Sequence, residues 1–319
     1  MRWSHREACH PTRTGAGLWV VAGVGAIVFA IRKDLPLVLD RSVQTVFMGG
    51  GTPSLFSPAA IDGLLTAVRA RLPLKPDAEI TLEANPGAAE HDRFVAYRDA
   101  GVNRISLGIQ SFDDDLLRAI GRIHGRADAV RAVKSVIKAG FERFNLDLMH
   151  GLPGQTAAMA VADVRAATEL GAPHISWYQL TLEPNTVFHS RPPVGLPDEE
   201  AAWSIQEAGA MALAEAGFEQ YEVSAWARPG HRCRHNLNYW QFGDYLGIGA
   251  GAHAKISDGA RQNITRYWKS KHPKDYLNRK GDSFLAGSRE IDGDELVFEF
   301  LLNALRLKEG FEPAIFLNH

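Results

Sequence analysis

The sequence predicts an α/β fold in which a partial (β/α)6 barrel precedes a truncated, mainly helical C-terminal domain. From about residue 43, short β-branched and apolar runs alternate with segments of helical periodicity, which is typical of βα units and a mainly parallel sheet. The chain has 319 residues, 45% of them apolar, and can bury a barrel-sized core. Because the alternation ends near residue 256, we expect the barrel over residues 34–256 and the incomplete domain over 257–319.

Six segments predict the strands of the barrel. In chain order they are VQTVFM (43–48), EITLEANPG with its exit loop (79–87), RISLGIQSF (104–112), RFNLDLMHGLP (143–153), HISWYQLTLEP (174–184) and EQYEVSAW (219–226). Helices are expected between them, the first starting at Pro58, since proline suits the first helical position. The others are expected at 91–101, 127–138, 157–170 and 199–216, and an apolar helix is expected within 294–311.

The first 33 residues follow a different pattern and stay unassigned. Residues 15–31 are apolar and uncharged, but 17 residues lie at the lower edge of the length that spans a bilayer. No small-residue cleavage site precedes the basic pair at 32–33, so a signal peptide is not indicated. We therefore expect a cytoplasmic protein without an integral membrane segment, although contact of residues 15–31 with a membrane stays an open alternative.

Charge and cysteine content give no support to several classes of function. A formal net charge of -2 gives no reason to expect a nucleic-acid surface, which normally needs an excess of Lys and Arg. Cys9 and Cys233 are the two cysteines, and they lie too far apart in sequence to predict a disulfide framework or a metal knuckle. Two reduced thiols are expected.

Three consecutive glycines, Gly49 to Gly51, end the first predicted strand and expose main chain that no side chain covers. Other polar residues also stand at the carboxyl ends of predicted strands, where a parallel βα barrel builds its site. They are Thr52, Glu83, Asn85, Gln110, Asp113, Asp147, His150, Gln179, Thr181 and the segment 221–224. A dinucleotide fingerprint is not indicated, because the glycines at 247–251 follow no predicted strand.

Eight motifs in order resemble a known family over roughly residues 34–311. They are VFMGGGTPSLFS, LEANPG, NRISLGIQSFDDDLLRAIGRIH, NLDLMHGLPGQT, YQLTLEPNT, QYEVSAWARPG, CRHNLNYW and YLGIGAGAH. The resemblance is to the HemW branch of the coproporphyrinogen-oxidase-like radical SAM family, which comprises heme chaperones related to oxygen-independent coproporphyrinogen III oxidase. It implies binding of S-adenosylmethionine (SAM) and heme, and transfer of heme to acceptor proteins, respiratory proteins among the candidates.

The resemblance also implies site residues. The SAM-binding positions of the family fall on Gly50, Gly51, Thr52, Glu83, Gln110, Arg122 and Asp147. By this hypothesis Arg122 pairs with the methionine carboxylate, for which a planar guanidinium is suited, and the acids take the ammonium or ribose hydroxyls. Heme needs an axial ligand, for which the candidates are His150, Cys233, His235 and His253.

One departure from the family is plain in the sequence. The family carries a Cys-x3-Cys-x2-Cys motif whose thiolates hold a [4Fe-4S] cluster, and this chain lacks that motif. A truncated or frame-shifted reading frame is the favoured explanation, and a genuine cluster-less paralogue is the other. Two further functions stay open: oxidative decarboxylation of coproporphyrinogen III, and a non-catalytic barrel that binds a nucleoside or a porphyrin.

Overall fold

The computed structural model describes residues 41–88, 91–184, 186–258, 263–278, 284–291 and 293–317. The predictions made for residues 1–33, including the apolar stretch 15–31 and Cys9, lie outside the described residues. Among the helices that are described, none combines the length and the apolar character needed to cross a bilayer.

A curled seven-stranded sheet forms the main layer of the described residues, in the order β1-β2-β3-β4-β5-β7-β6. Strands β2 to β5 pair in parallel, as the sequence predicts. The strands of this sheet are β1 (Val43–Met48), β2 (Leu74–Ala84), β3 (Arg104–Gln110), β4 (Phe144–His150), β5 (His174–Gln179), β6 (Glu219–Glu222) and β7 (Ala225–Ala227).

Helices connect the strands as predicted, with bounds that differ by a few residues. They are α1 (Pro58–Arg69), α2 (His91–Asp99), α3 (Asp114–Ala119), α4 (Arg126–Lys138), α5 (Ala157–Glu169), α6 (Val187–Ser190), α7 (Glu199–Glu215), α8 (Arg234–Trp240), α9 (Pro273–Asn278), α10 (Gly293–Ala304) and α11 (Pro313–Leu317). The short helix α3 begins directly after Asp113, whose side chain accepts hydrogen bonds from two backbone N–H groups of its first turn.

The described residues divide into two compact units. The first contains residues 47–57 and 80–232 and holds strands β3 to β7 entirely. Its strands alternate by the two-residue period of a β-strand, so that apolar side chains such as Leu107, Leu146 and Leu148, all fully buried, leave the intervening positions on the other face of the sheet. This opposite, inward face carries the polar residues discussed below.

The second unit contains residues 41–46, 58–79 and 233–317. Within it, β8 (His253–Asp258), β9 (Asn263–Lys269) and β10 (Leu285–Ile291) form an antiparallel sheet in the order β10-β9-β8. These strands were not expected from the sequence, which predicts a mainly helical region here. Helix α10 packs Phe300 against Phe242, Ile264 and Ile291, so helix and sheet share one apolar core.

The sixth predicted strand differs from expectation. Residues 219–226 do not form one parallel strand but the hairpin of β6 and β7, and β7 pairs antiparallel with β5. The two residues between the strands, Val223 and Ser224, form the turn, and Ser224 N–H donates to the Glu222 carboxylate (3.1 Å). Because a two-residue connection can only join antiparallel strands, the chain closes this edge of the sheet without another crossover helix.

Asp163 on helix α5 fixes the loop that follows β3. It is 2% exposed, and its carboxylate accepts hydrogen bonds from the Ser111 hydroxyl (2.7 Å) and the Phe112 backbone N–H (2.6 Å). The Ser111 hydroxyl oxygen in turn accepts from Asp113 N–H (3.0 Å). One buried acid therefore sets the path of the chain at the carboxyl end of β3.

We expect Asp163→Ala to lower the free energy of unfolding by about 3 kcal/mol, because it leaves two buried donors without an acceptor. Asp163→Asn should be milder, since its amide oxygen can still accept from Phe112. Urea denaturation at pH 7 measures both values. Equal losses in the two variants would contradict this role.

Asp163 should also make stability depend on pH. Burial raises the pKa of this carboxyl to about 6, whereas in the unfolded chain it is about 4. The folded protein therefore keeps a proton that the unfolded chain releases, and this group lowers stability as pH rises through that window. The stability of Asp163→Asn relative to the unaltered chain should rise by about 2 kcal/mol between pH 4 and pH 7. A difference that does not change with pH would contradict the shifted pKa.

Candidate functional site

The glycine segment after β1 presents bare main chain, as the sequence suggests. Gly50 and Gly51 are exposed and have φ angles of 79° and 68°, in the left-handed region that favours glycine. Gly50 N–H donates to the Glu83 carboxylate (3.1 Å). A side chain at Gly49 would lie 3.0 Å from that same carboxyl group. Glu83 thus fixes the glycine segment by a hydrogen bond, while Gly50 and Gly51 stay exposed.

Thr52 continues this edge and is held by a neighbouring loop. The Asn85 side-chain amide donates to the Thr52 hydroxyl oxygen (3.1 Å). Asn85 follows β2 directly, so the carboxyl ends of β1 and β2 are joined through side chains as well as through the sheet.

Gln110 is the last residue of β3 and has an unusual backbone. It is 4% exposed and has a φ of 71°, a value that few residues other than glycine adopt. The Tyr178 hydroxyl donates to its side-chain oxygen (2.6 Å). A side chain at Gly108 would come within 3.1 Å of the Gln110 amide nitrogen, so the space that Gln110 occupies depends on that glycine.

Asp147 lies on the inward face of β4. Its carboxylate accepts hydrogen bonds from Asn145 (2.8 Å) and from the Ser106 hydroxyl (3.2 Å). Burial and, to a smaller extent, the nearby charge of Glu83 raise the pKa of Asp147 to about 6, although the hydrogen bonds oppose the rise. Two acids therefore face one another in this part of the barrel, an arrangement that suits a cationic or hydroxylated ligand.

Arg122 is coupled to the same group of residues through its charge. Burial raises the pKa of Tyr178 above its ordinary range and the charge of Asp147 adds to that effect, whereas the charge of Arg122 opposes it. Tyr178 is thus a neutral hydroxyl donor between an acid and a guanidinium. The seven residues suggested as SAM contacts all lie in the first unit.

Other polar residues at the predicted strand ends have different places. Asp113 caps helix α3. The Tyr221 hydroxyl contacts His174, the first residue of β5, and so belongs to the opposite end of the strands. His150 follows Leu146 and Leu148 on the face of β4 away from Asp147, where its ring lies 4.8 Å from the ring of Trp177.

The four heme-ligand candidates are divided between the two units. His150 is in the first unit, 3% exposed, with a ring Nδ1 that has no hydrogen-bond partner in the structure. In the second unit, Cys233 is buried and its thiol donates to Glu79 (3.4 Å), which also accepts from the backbone N–H of His235 (3.0 Å). His253 is exposed at the start of β8.

The remaining candidate, His235, lies in the second unit and has defined side-chain contacts. Its Nδ1 is hydrogen-bonded to the Thr45 hydroxyl (3.0 Å), and its ring meets the edge of Tyr239 at 5.0 Å between centroids. Burial lowers the pKa of His235 to about 4, and the charge of Glu79 opposes that shift. The imidazole is therefore neutral at physiological pH, as a metal ligand must be.

The sequence reasoning missed four residues of the site: Ser106, Asn145, Ser176 and Tyr178. A signal for them was present, because a strand places every second residue on one face. Asn145 is two residues from Asp147, and Ser176 and Tyr178 lie two apart on β5, whose Ser176 is the register partner of Asp147. Strand period combined with register would have identified this inward row.

The residues present do not fit a [4Fe-4S] cluster. Three thiolates are needed for the family's cluster, and the whole sequence contains two cysteines. Cys233 points its thiol at Glu79, and no group of three or more His, Cys, Asp or Glu suited to a metal occurs among the described residues. The residues suggested for SAM suit that ligand better, since exposed glycine main chain, a glutamine and two acids offer the donors and acceptors that an amino acid and a ribose need.

The chain is similar in sequence to known proteins. The sequence pattern of the radical SAM superfamily matches residues 31–167. The heme chaperone HemW of Escherichia coli is 54% identical over 287 residues, which cover 89% of this chain and 74% of that protein. The heme chaperone HemW of Haemophilus influenzae is 51% identical over 273 residues, which cover 86% and 70%.

A solved structure supports the fold. That of the coproporphyrinogen III oxidase HemN from Escherichia coli, a radical SAM enzyme, matches 93% of this chain and 70% of its own with a TM-score of 0.79 and 23% identity. At that identity the match shows the shared fold alone. Because several relatives are far above 30% identity over most of both chains, the sequence comparison decides the family: the chain belongs to the HemW heme chaperones of the radical SAM superfamily.

Proposed function

We propose that this chain is a cytoplasmic heme chaperone, which binds heme and passes it to acceptor proteins, and that its barrel binds SAM. The observation that carries the proposal is the 54% identity to a heme chaperone over 89% of the chain. The geometry of the first unit supports the SAM part, because the glycine edge, Glu83 and Gln110 lie at the carboxyl ends of β1, β2 and β3, and Asp147 lies in the middle of neighbouring β4.

The residues of the pocket have separable roles in this proposal. The exposed main chain of Gly50 and Gly51, in which the Gly50 N–H is already bonded to Glu83, binds the amino-acid end of SAM, while Arg122 pairs with its carboxylate. Glu83 and Asp147 accept from its ammonium or ribose hydroxyls. Bound SAM supplies a sulfonium centre. The neutral Tyr178 hydroxyl holds Gln110 in place at the edge of the pocket.

Among the heme-ligand candidates, we propose His235. A histidine that binds a metal usually has its second ring nitrogen fixed by a hydrogen bond, and the bond to Thr45 supplies this support. The ring of Tyr239 also contacts the rings of Trp240 and Tyr245, so His235 lies beside a group of aromatic side chains. His150 and Cys233 are buried and would need a rearrangement before a porphyrin could reach them.

The direct test is a titration of the purified chain with ferric heme, followed by the Soret band. We expect saturable binding of one heme per chain. Absence of a bound spectrum at micromolar heme would overturn the chaperone proposal. Conversion of coproporphyrinogen III to a vinyl-containing product, with SAM and a reductant, would support the oxidase alternative instead.

His235→Ala should weaken heme binding at least about tenfold and change the Soret maximum, and Thr45→Val should weaken it roughly tenfold by releasing the ring. Exposed His189 gives a matched control, His189→Ala, that should bind as the unaltered chain does. If His253→Ala or His150→Ala produces the larger loss, the ligand is not His235. The same titration measures every variant.

Arg122→Ala should weaken SAM binding about 10- to 100-fold, since a charge-assisted pair with a carboxylate is lost. The control is Arg118→Ala, because Arg118 lies exposed on helix α3 and pairs with Asp115. Calorimetric titration with SAM at pH 7.5 measures both affinities. Unchanged SAM affinity in Arg122→Ala would reject the role of this arginine.

Incubation of the chain with iron and sulfide under anaerobic conditions should leave no [4Fe-4S] chromophore, because two cysteines cannot supply three thiolates. The measurements are absorbance near 400 nm and iron content after desalting. About four iron atoms bound per chain would contradict this expectation.

A further inference from the structure

A continuous set of hydrogen bonds leads from Tyr221 to Asp147 through the inward face of the sheet. Asn145 uses both hydrogens of its amide, one to the Asp147 carboxylate (2.8 Å) and one to the Ser106 hydroxyl oxygen (2.8 Å). Ser106 then donates its own hydrogen to the second oxygen of Asp147 (3.2 Å). Both oxygens of this acid are thus contacted from inside the protein.

The orientation of the Asn145 amide follows from its partners. A carboxylate can only accept, so the amide NH2 must face Asp147 and the amide oxygen must face away from it. That oxygen lies 2.7 Å from His174 Nδ1 and 3.1 Å from the Ser176 hydroxyl. Both of these groups must therefore donate to Asn145.

The same reasoning fixes the tautomer of His174. Burial lowers the pKa of this histidine well below its ordinary value, and the charge of Arg104 adds to the effect, so the ring is neutral. With its hydrogen on Nδ1, its Nε2 is an acceptor and receives the hydroxyl hydrogen of Tyr221 (2.8 Å). His174 and Tyr221 are each 1% exposed.

Along this path each residue donates to the next one, from Tyr221 through His174 and Asn145 to Asp147. A purely structural core would not need this, because apolar residues of similar size usually stabilise a buried position at least as well as a polar network does. We propose that Asn145, His174 and Tyr221 are positioning residues, which hold the Asp147 carboxylate in one orientation so that its remaining lone pairs receive an ammonium or hydroxyl of the bound ligand.

The proposal rests on the proposed SAM pocket for the identity of that ligand. The groups that face Asp147 are Glu83 from β2, Ser106 from β3, and Ser176 and Tyr178 from β5, with the charge of Arg122 acting on Tyr178. Glu83 disfavours ionisation of Asp147, whereas the hydrogen bonds favour it. Removal of a donor should therefore raise the pKa of Asp147. As the pH is lowered, binding that needs the ionised carboxylate should then weaken at a higher pH than in the unaltered chain.

The test uses His174→Phe and Tyr221→Phe, with His174→Gln as the conservative variant. Glutamine can donate its amide hydrogen to Asn145 and accept from Tyr221, so it keeps the donor and acceptor of each hydrogen bond as they are with His174. In protein labelled with 13C at aspartate carboxyls, the pKa of Asp147 should rise by about one unit in His174→Phe, and His174→Gln should return it most of the way. His189→Phe, at an exposed site, should leave it unchanged.

Calorimetric titration with SAM between pH 5.5 and 8.5 gives the second readout. His174→Phe should weaken SAM binding about tenfold at pH 6.5 and much less at pH 8.5, because only the ionised acid accepts from the ligand. A merely structural role would weaken binding equally at all pH values. Such a uniform loss, or an unchanged titration of Asp147, would overturn the proposal.

Two outcomes separate this inference from the proposed function. If the unaltered chain does not bind SAM, the proposed pocket fails, and the titration of Asp147 in ligand-free protein still tests the positioning residues. If the variants do not fold, 15N spectra of the unaltered chain decide: a hydrogen on His174 Nδ1 supports the network, and a hydrogen on Nε2 overturns it.

Discussion

A carboxylate on the inward face of a buried parallel strand is the constraint on which the barrel depends. The other face of β4 carries Leu146 and Leu148, the neighbours of Asp147 in the strand, and both are fully buried. An acid in this environment needs donors close by. Ser106 and Asn145 supply these donors, and the register of β3 and β4 places the two residues opposite each other. The polar interior therefore depends on the order of the strands.

The regular part of the fold was readable from the sequence because it depends on local period. Parallel strands at 104–110 and 144–150 are almost wholly apolar on one side, and helices fill the intervals between them. The hairpin at 219–227 was not predicted, since Val223 and Ser224 include none of the Gly, Asn or Asp residues that two-residue hairpin turns favour. The sheet of β8 to β10 was not predicted either, because its pairing depends on residues distant in sequence and on packing against helix α10.

The sequence could suggest some residues of the candidate site and not others, for related reasons. Gly50, Gly51 and Asp147 could be proposed because glycine and a flanked acid stand out in a sequence. Asn145 and Tyr178 could not, since an asparagine and a tyrosine in a strand are unremarkable until the register shows what they face.

The left-handed backbone of Gln110 has a consequence for how a ligand is received. Its φ of 71° is held from two sides, by the Tyr178 hydroxyl on the side chain and by the loop that Asp163 fastens immediately after it. Such backbone strain persists only where the surroundings over-determine it. The freedom of this glutamine is therefore lost when the chain folds, and an arriving molecule meets a rigid receptor that has little entropy left to lose.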